Sequence, residues 1–444
     1  MFKTFINAFK IKDIRKKLFY TFMMMVIIRI GSQIPIPGIN AEYVKQVMET
    51  ILGGGDAGII GAITGGSLER MSILALGITP YITSSIIMQL LTIAIPSLEE
   101  MQRDGDEGRK KIAAITRYVT VVLALIESGA MAIGYKGILM ERFQNALGII
   151  CVIAAMTAGS AFLMWLGERI TVNGVGNGIS IVLVINIIST FPQDAVAVYN
   201  RIVFEEGNRS SVPSIILKTA VALVVVIGLI IMVIILNDAI RKIPIQYAKK
   251  IQGNRMMGGN STNIPVKVNT AGVIPVIFAA SLLQFPSLIT NMVTGQKGAS
   301  GWWGEAIKYF SPSNWFKSGS MQYTLGLVLY VALVVFFAYF YTSITFNPAE
   351  VANNLKKAGG FVPGIRPGKP TSEYLNNALN YIIFIGAVGL TVVAVIPYVV
   401  TGLTGVSLSF GGTSIIIVVS VVIETAQQVE SQMLVRNYKG FLND

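Results

Sequence analysis

The chain has 444 residues, 53% of them hydrophobic and 13% charged. Soluble domains carry about 25% charged residues, so this composition excludes a water-facing surface of ordinary size, and its apolar content excludes disorder. With no histidine and one cysteine, Cys151, the chain has no Ser-His or Cys-His nucleophilic pair, histidine metal site, intrachain disulfide or thiolate cluster.

The N-terminal segment, 1–17, holds six basic residues: Lys3, Lys10, Lys12, Arg15, Lys16 and Lys17. It leads into the first of ten apolar runs long enough to cross a bilayer. These runs cover 18–34, 72–95, 113–134, 146–167, 176–191, 214–236, 271–293, 322–344, 378–398 and 408–429. The first contains Arg29 and leads to QIPIPG rather than to a small-residue cleavage site, so it reads as a span and not as a signal peptide. Residues 57–71, AGIIGAITGGSLERM, are moderately apolar and rich in glycine. The stretch from Ala57 to Gly66 is too short for a core about 30 Å thick. It fits a half-helix folded back into a cavity, or equally an external loop helix. The fifth run is short and opens on glycine, and the eighth, LGLVLYVALVVFFAYFYTSI, is the clearest.

An even number of spans puts both termini on one side. That side holds 23 of the 35 Lys and Arg residues and the opposite loops hold nine, which by the positive-inside rule makes both termini cytoplasmic. Two loops on the basic side, 237–270 and 345–377, each exceed 30 residues and are rich in Gly or Pro. Tight turns between helices are shorter, so these loops are expected to protrude as a docking surface.

Ion-coupled carriers need ionisable groups near the midplane. Spans two, five, seven, eight and nine have none in their interiors. Arg29, Glu127, Glu168, Lys218 and Glu424 are embedded, most of them near span ends. A secondary solute transporter is therefore the weaker alternative, and an intramembrane enzyme lacks both a nucleophile–base pair and paired aspartates. No GxxxxGK[ST] phosphate loop occurs, so energy must come from a partner. A passive conduit or carrier remains.

Five stretches carry a family resemblance: SILALGITPYITSSIIMQLL (72–91), the GERIT and GVGNGIS pieces within 165–183, KVNTAGVIPVIFA (267–279), SITFNPAEVANNLKKAGGFVPGIRPGKPT (343–371) and SFGGTSIIIVVSVVIET (409–425). In this order, with ten spans, they resemble SecY of the SecY/Sec61-alpha family, the main channel subunit of the Sec protein translocase, and the FVPGIRPG loop looks bacterial. The resemblance implies an all-α polytopic membrane protein of two inverted five-helix halves, 18–191 and 214–429. The 192–213 segment is then an external hinge and 430–444 a cytoplasmic tail. It implies a channel in the bacterial cytoplasmic membrane for unfolded secretory polypeptides bearing signal sequences, with lateral release of membrane helices into the lipid bilayer. The implied partners are SecE, SecG, the SecA ATPase and the ribosome, and no cofactor.

The resemblance also implies residue roles. A pore ring falls on Ile82, Ile86, Ile179, Leu183, Ile277 and Ile417. Ile82 and Ile86, like Ile179 and Leu183, stand one helical turn apart and share a face, and branched aliphatic side chains can form a dewetting gate. The 57–71 segment becomes a re-entrant plug, centred on Ile59, Ile60, Gly61, Ala62, Ile63, Thr64, Gly65 and Gly66. Ser84, Ser85 and Gln89 on span two and Asn269, Ser281 and Gln284 on span seven are lateral-gate residues; ordinary interhelical hydrogen bonding is the competing role. Arg255 and Arg366 are expected to engage the motor or the ribosome.

Overall fold

The computed structural model describes residues 9–39, 44, 64–134, 137, 139–205, 208–209, 212–247, 250–252, 255–257, 261–294, 301–311, 314–316, 321–404 and 412–440. Ten helices fall on the ten expected spans, numbered here in chain order: Lys12–Gly31, Thr79–Ala94, Asp106–Gly134, Ala146–Asn173, Gly178–Val203, Val212–Asp238, Ile274–Thr294, Leu325–Thr345, Lys369–Thr404 and Gly412–Gly440. Spans three, four, six, eight, nine and ten each contain a helix long and apolar enough to cross a membrane alone. Spans five and seven contribute shorter apolar stretches, Gly178–Pro192 and Ile274–Leu283.

Several boundaries differ from those expected. Span two becomes helical only at Thr79, where Pro80 occupies the first turn, the position that tolerates a missing N–H. Ser72–Ile78 is a chain of turns, and its start pairs with the QIPIPG segment: Ile36 N–H donates to Met71 and Ile73 N–H to Ile34. Span two stops at Ile95, which is extended ahead of Pro96, as a residue before proline prefers. The next helix, Pro96–Arg103, leaves at 100°. Span five continues through Pro192 to Val203, so the 192–213 segment is helical in its first part and then forms a short hairpin, β1 (Phe204–Glu205) with β2 (Asn208–Arg209). Span ten likewise runs on to Gly440 through most of the expected tail.

The two long basic loops are structured and joined. In the first, β3 (Ile240–Tyr247) pairs antiparallel with β6 (Ser261–Lys267), enclosing a smaller hairpin of β4 (Lys250–Gln252) and β5 (Arg255–Met257). The second adds β7 (Gly360–Phe361) to the free edge of β3, with Gln246 opposite Phe361 and Tyr247 opposite Gly360. Before β7, the FNPAE sequence folds as a capped helix. Asn347 Oδ1 accepts from the N–H groups of Ala349 and Glu350, Pro348 starts Pro348–Lys357, and Lys356 and Lys357 fall in its last turn, where the helix dipole favours cations. A separate apolar cluster lies beneath: Ile243, Val266, Ala352, Val362, Leu375 and Leu379 tie both loops to the start of span nine.

The largest hydrophobic cluster draws buried residues from every span except the third. Span three packs with span four over a second cluster that includes Ile36, Met71, Ala124, Met131 and Met156. Spans one to five pack mainly among themselves, as do six to ten. The two groups meet where span five packs on span ten, where span three packs on span seven, and at the five–six junction. Span six exposes Ile216, Leu217, Leu223, Val224, Ile227, Ile231 and Ile235, which is expected where the surrounding solvent is lipid.

Candidate functional site

The GVGNGIS turn aims span five at the interior. Only four residues separate Asn173 from Gly178. Gly176 adopts φ +83°, and a Cβ at Gly178 would lie 1.8 Å from the Gly167 carbonyl oxygen, so the reversal needs glycine at both places. Two threonines satisfy backbone donors freed by the turn. Thr171 Oγ1 accepts from Gly178 N–H at 2.9 Å, and Thr21 Oγ1, buried on span one, accepts from Val175 N–H at 3.1 Å. Thr21→Val keeps the shape but strands a buried N–H, which costs about 1–3 kcal/mol. The expected outcome is a lower midpoint of thermal unfolding in detergent, with the helical content of the folded protein unchanged.

Ile82, Leu183 and Ile417 are buried at 8%, 4% and 4% exposure. Ile86, Ile179 and Ile277 are half-buried, and all six belong to the largest cluster. Four spans, two, five, seven and ten, thus bring branched side chains into one apolar mass. Ile179 sits differently from the rest. A Cβ on Gly167 would meet its Cδ1 at 2.7 Å, so Ile179 packs onto span four. The same face of span five continues from Leu183 to Ile187, buried at 1% in that cluster. Ile187 was missed in the sequence, although its i+4 spacing from Leu183 is the available signal.

One turn beyond Leu183, span five holds the end of the glycine-rich segment. Ile59, Ile60, Gly61, Ala62 and Ile63 lie outside the described residues. Thr64, Gly65 and Gly66 are described, and Gly65 is closely cradled. Its carbonyl accepts from Arg29 Nη1 at 3.3 Å, with Ser189 Oγ at 3.5 Å. Its φ is +65°, and an added Cβ would lie 2.9 Å from Asn186 Cα. Arg29, an embedded charge on span one, is thereby directed at this segment.

The polar residues assigned to a lateral opening divide. Ser84 is fully buried, and its hydroxyl donates to the Thr116 carbonyl at 2.8 Å, which joins span two to span three within one half. Asn269 donates to Asn237 Oδ1 at 2.9 Å, and Asn237 donates to Ser420 Oγ at 2.6 Å, a chain linking spans six and ten ahead of span seven. These two residues make interhelical ties inside their own halves. Gln89 is different: it lies near Tyr341 of span eight, across the two halves, and its buried Oε1 has no hydrogen-bond partner among the described residues. Ser85 and Ser281 are half-buried, and Gln284 lies on span seven. Of the embedded charges, Glu168 is paired: its Oε1 accepts from Arg117 Nε at 2.6 Å between spans four and three.

On the basic side, Arg366 is exposed in the turn after β7. The turn itself is fixed. Gly364 and Gly368 have φ of +82° and +104°, Ile365 N–H donates to Val362, and Thr371 Oγ1 donates to the Arg366 carbonyl at 2.8 Å. Arg255 opens β5 in the neighbouring loop.

An apolar interior built from both halves, a glycine held between spans one and five, and a sheet joining two basic loops define a polytopic helical membrane protein. The fold is similar to that of a solved protein-conducting channel, with a TM-score of 0.62 at 19% identity over 95% of this chain and 93% of that one. It is also similar to Sec61 in the canine ribosome–channel complex, with a TM-score of 0.58 at 18% identity over 95% and 93%. The SecY family model matches residues 72–426. Protein translocase subunit SecY of Corynebacterium glutamicum is 42% identical over 98% of this chain and 99% of its own, and that of Streptomyces coelicolor is 41% identical over the full length of both. The chain belongs to the SecY family.

Proposed function

We propose that this chain is the channel-forming subunit of a bacterial protein translocase. It passes unfolded secretory polypeptides across the cytoplasmic membrane and releases membrane helices sideways into lipid. The observation that carries this reading is that Ile82, Ile86, Leu183, Ile277 and Ile417, from four spans, share one apolar cluster, with Gly65 seated against Asn186, one turn beyond Leu183; these five form its constriction. Such a ring excludes water when closed and binds no particular peptide sequence, as a conduit for varied substrates requires. The segment from Ile59 to Gly66 acts as its plug.

The basic bias of the terminal side supports cytoplasmic termini. The joined loops carrying Arg255 and Arg366 then face the cytoplasm, where SecA or the ribosome supplies the drive. SecE and SecG complete the membrane complex. Gln89 against Tyr341, with span three on span seven, forms the seam that parts laterally. Polar contacts between membrane helices are worth about 0.6–2 kcal/mol each, enough to hold such a seam and still release it.

The reading is tested by purifying the chain with its co-purifying small subunits and reconstituting it into vesicles. Protease-protected uptake of a signal-bearing precursor, dependent on the motor and ATP, is the expected result. Saturable uptake of a small solute without precursor uptake would instead establish a solute transporter.

A further inference from the structure

The connection between spans seven and eight contains a nine-residue helix, Trp302–Phe310, sequence WWGEAIKYF. Its inner side is bound into the protein. Phe310 packs against the main cluster, Tyr309 meets Tyr323 edge to face at 5.1 Å, and the Tyr309 carbonyl accepts from Trp315 Nε1 at 3.1 Å. Its charges are satisfied locally: Glu305 accepts from Lys308 at 2.5 Å and from the Tyr323 hydroxyl at 2.8 Å. Those bonds, from Lys308 first and then Tyr323, hold the Glu305 carboxyl below the usual carboxylate range.

What remains is an aromatic edge. Trp302 is 79% exposed and Trp303 is 42% exposed, with ring centroids 5.5 Å apart. Trp303 Nε1 donates to Thr290 Oγ1 at 2.9 Å, which ties the pair to the end of span seven. The helix also packs on the start of span eight. There Met321, Leu325 and Val328 are exposed at 73%, 68% and 63%, so the helix that carries the aromatic edge packs on a span whose start exposes apolar side chains. Tryptophan, with an apolar ring and one N–H, concentrates where acyl chains meet headgroups.

We propose that Trp302 and Trp303 form an interfacial lipid anchor, seated in the headgroup region on the side opposite the termini. The occupant of this edge is lipid and not a protein subunit. A short amphipathic helix lying in the interface buries its apolar side at the headgroup–acyl boundary. Through the Trp303–Thr290 bond the anchor fixes the depth of the end of span seven, the helix that meets span three across the two halves. The inference rests on the membrane-spanning fold and not on the translocase reading.

The purified complex is reconstituted in phosphatidylethanolamine/phosphatidylglycerol vesicles carrying lipid brominated either near the carbonyl end or near the tail of the acyl chain. Emission of a Trp302→Phe variant is subtracted from that of the unaltered protein, which isolates the Trp302 signal. Bromine near the carbonyl end is expected to lower that signal about twofold, bromine near the tail to lower it less, and iodide on both sides to leave it unchanged. Quenching by iodide without quenching by brominated lipid would make Trp302 a water-facing loop residue. Insensitivity to both would mean that protein covers it. Either result overturns the proposal. A second measurement does not depend on tryptophan emission. Cys151 is the sole cysteine, so a nitroxide at Trp302→Cys in a Cys151→Ser background reports depth directly. Collision with oxygen should exceed collision with an aqueous nickel complex, and the reverse order would also overturn the proposal.

Discussion

Arg366→Glu is expected to leave the channel folded, abundant and associated with its small subunits, and to nearly abolish ATP-driven translocation. The side chain is exposed and carries no intramolecular ion pair among the described residues. Its backbone is held by Gly364, Gly368 and the Thr371 bond to its carbonyl. The side chain is thus presented from a held backbone, so that ordering it on binding costs mainly its own rotamer entropy. Losing a desolvated charge-assisted contact costs about 2–5 kcal/mol, and each 1.4 kcal/mol is about tenfold in a binding constant. A transient motor–channel complex would not survive that change. The same reversal on a solvated, unpaired charge costs close to nothing. Translocated precursor per channel, wild type against mutant at equal channel density, separates the two. Full activity in the mutant would reduce Arg366 to a loop charge. The sheet joining the two loops adds a further expectation: because Arg366 lies outside the β7–β3 pairing, which uses Gly360 and Phe361, the mutant should keep the sheet intact.

Replacing Ile82, Ile86 and Leu183 together with Ser is expected to make the idle channel conduct small ions. Each replacement removes a branched apolar group from the proposed constriction and adds a hydroxyl that holds water, and a dewetting gate depends on the absence of such groups. Leu183 is chosen over Ile179 because Ile179 leans on Gly167 of span four. Replacing Ile179 alone should therefore loosen the span four–five contact and leave conductance unchanged. Ile82 and Leu183 are buried, so the triple variant will also lose stability. Deleting buried aliphatic groups costs about 2–5 kcal/mol for a Leu- or Ile-sized loss in a tight core. Abundance and subunit co-purification are the controls, and single-channel recording in planar bilayers is the readout. A folded triple mutant as silent as wild type would remove these residues from the seal.

Much of this architecture was legible in the amino-acid sequence for a local reason. A span is set by the transfer free energy of about 20 consecutive residues, and orientation by the basic residues flanking them. Neither depends on a distant contact. The ten helices accordingly fall on the ten apolar runs. Span two was overextended because apolarity continues through Ser72–Ile78. The strand-like pairing of that segment with QIPIPG spans more than 30 residues of chain and leaves no local mark.

Only the tertiary structure decided how the helices are rotated and what each polar group meets. Ser84 and Gln89 in span two and Asn269 just ahead of span seven are all uncharged polar residues, and composition gives them one description. Packing of the helices sends Ser84 to the Thr116 carbonyl and Asn269 to Asn237, within single halves, and leaves the buried Gln89 Oε1 without a hydrogen-bond partner among the described residues. The same holds for the branched aliphatics, where one turn of span five separates Ile179, packed on Gly167, from Leu183 in the central mass. The long basic loops show it most clearly. Their length and charge are properties of each loop alone, but their union through β3 and β7 joins residues more than 100 positions apart. Backbone hydrogen bonding at that separation is specified by where the spans put the loop ends, and so by the packed bundle as a whole.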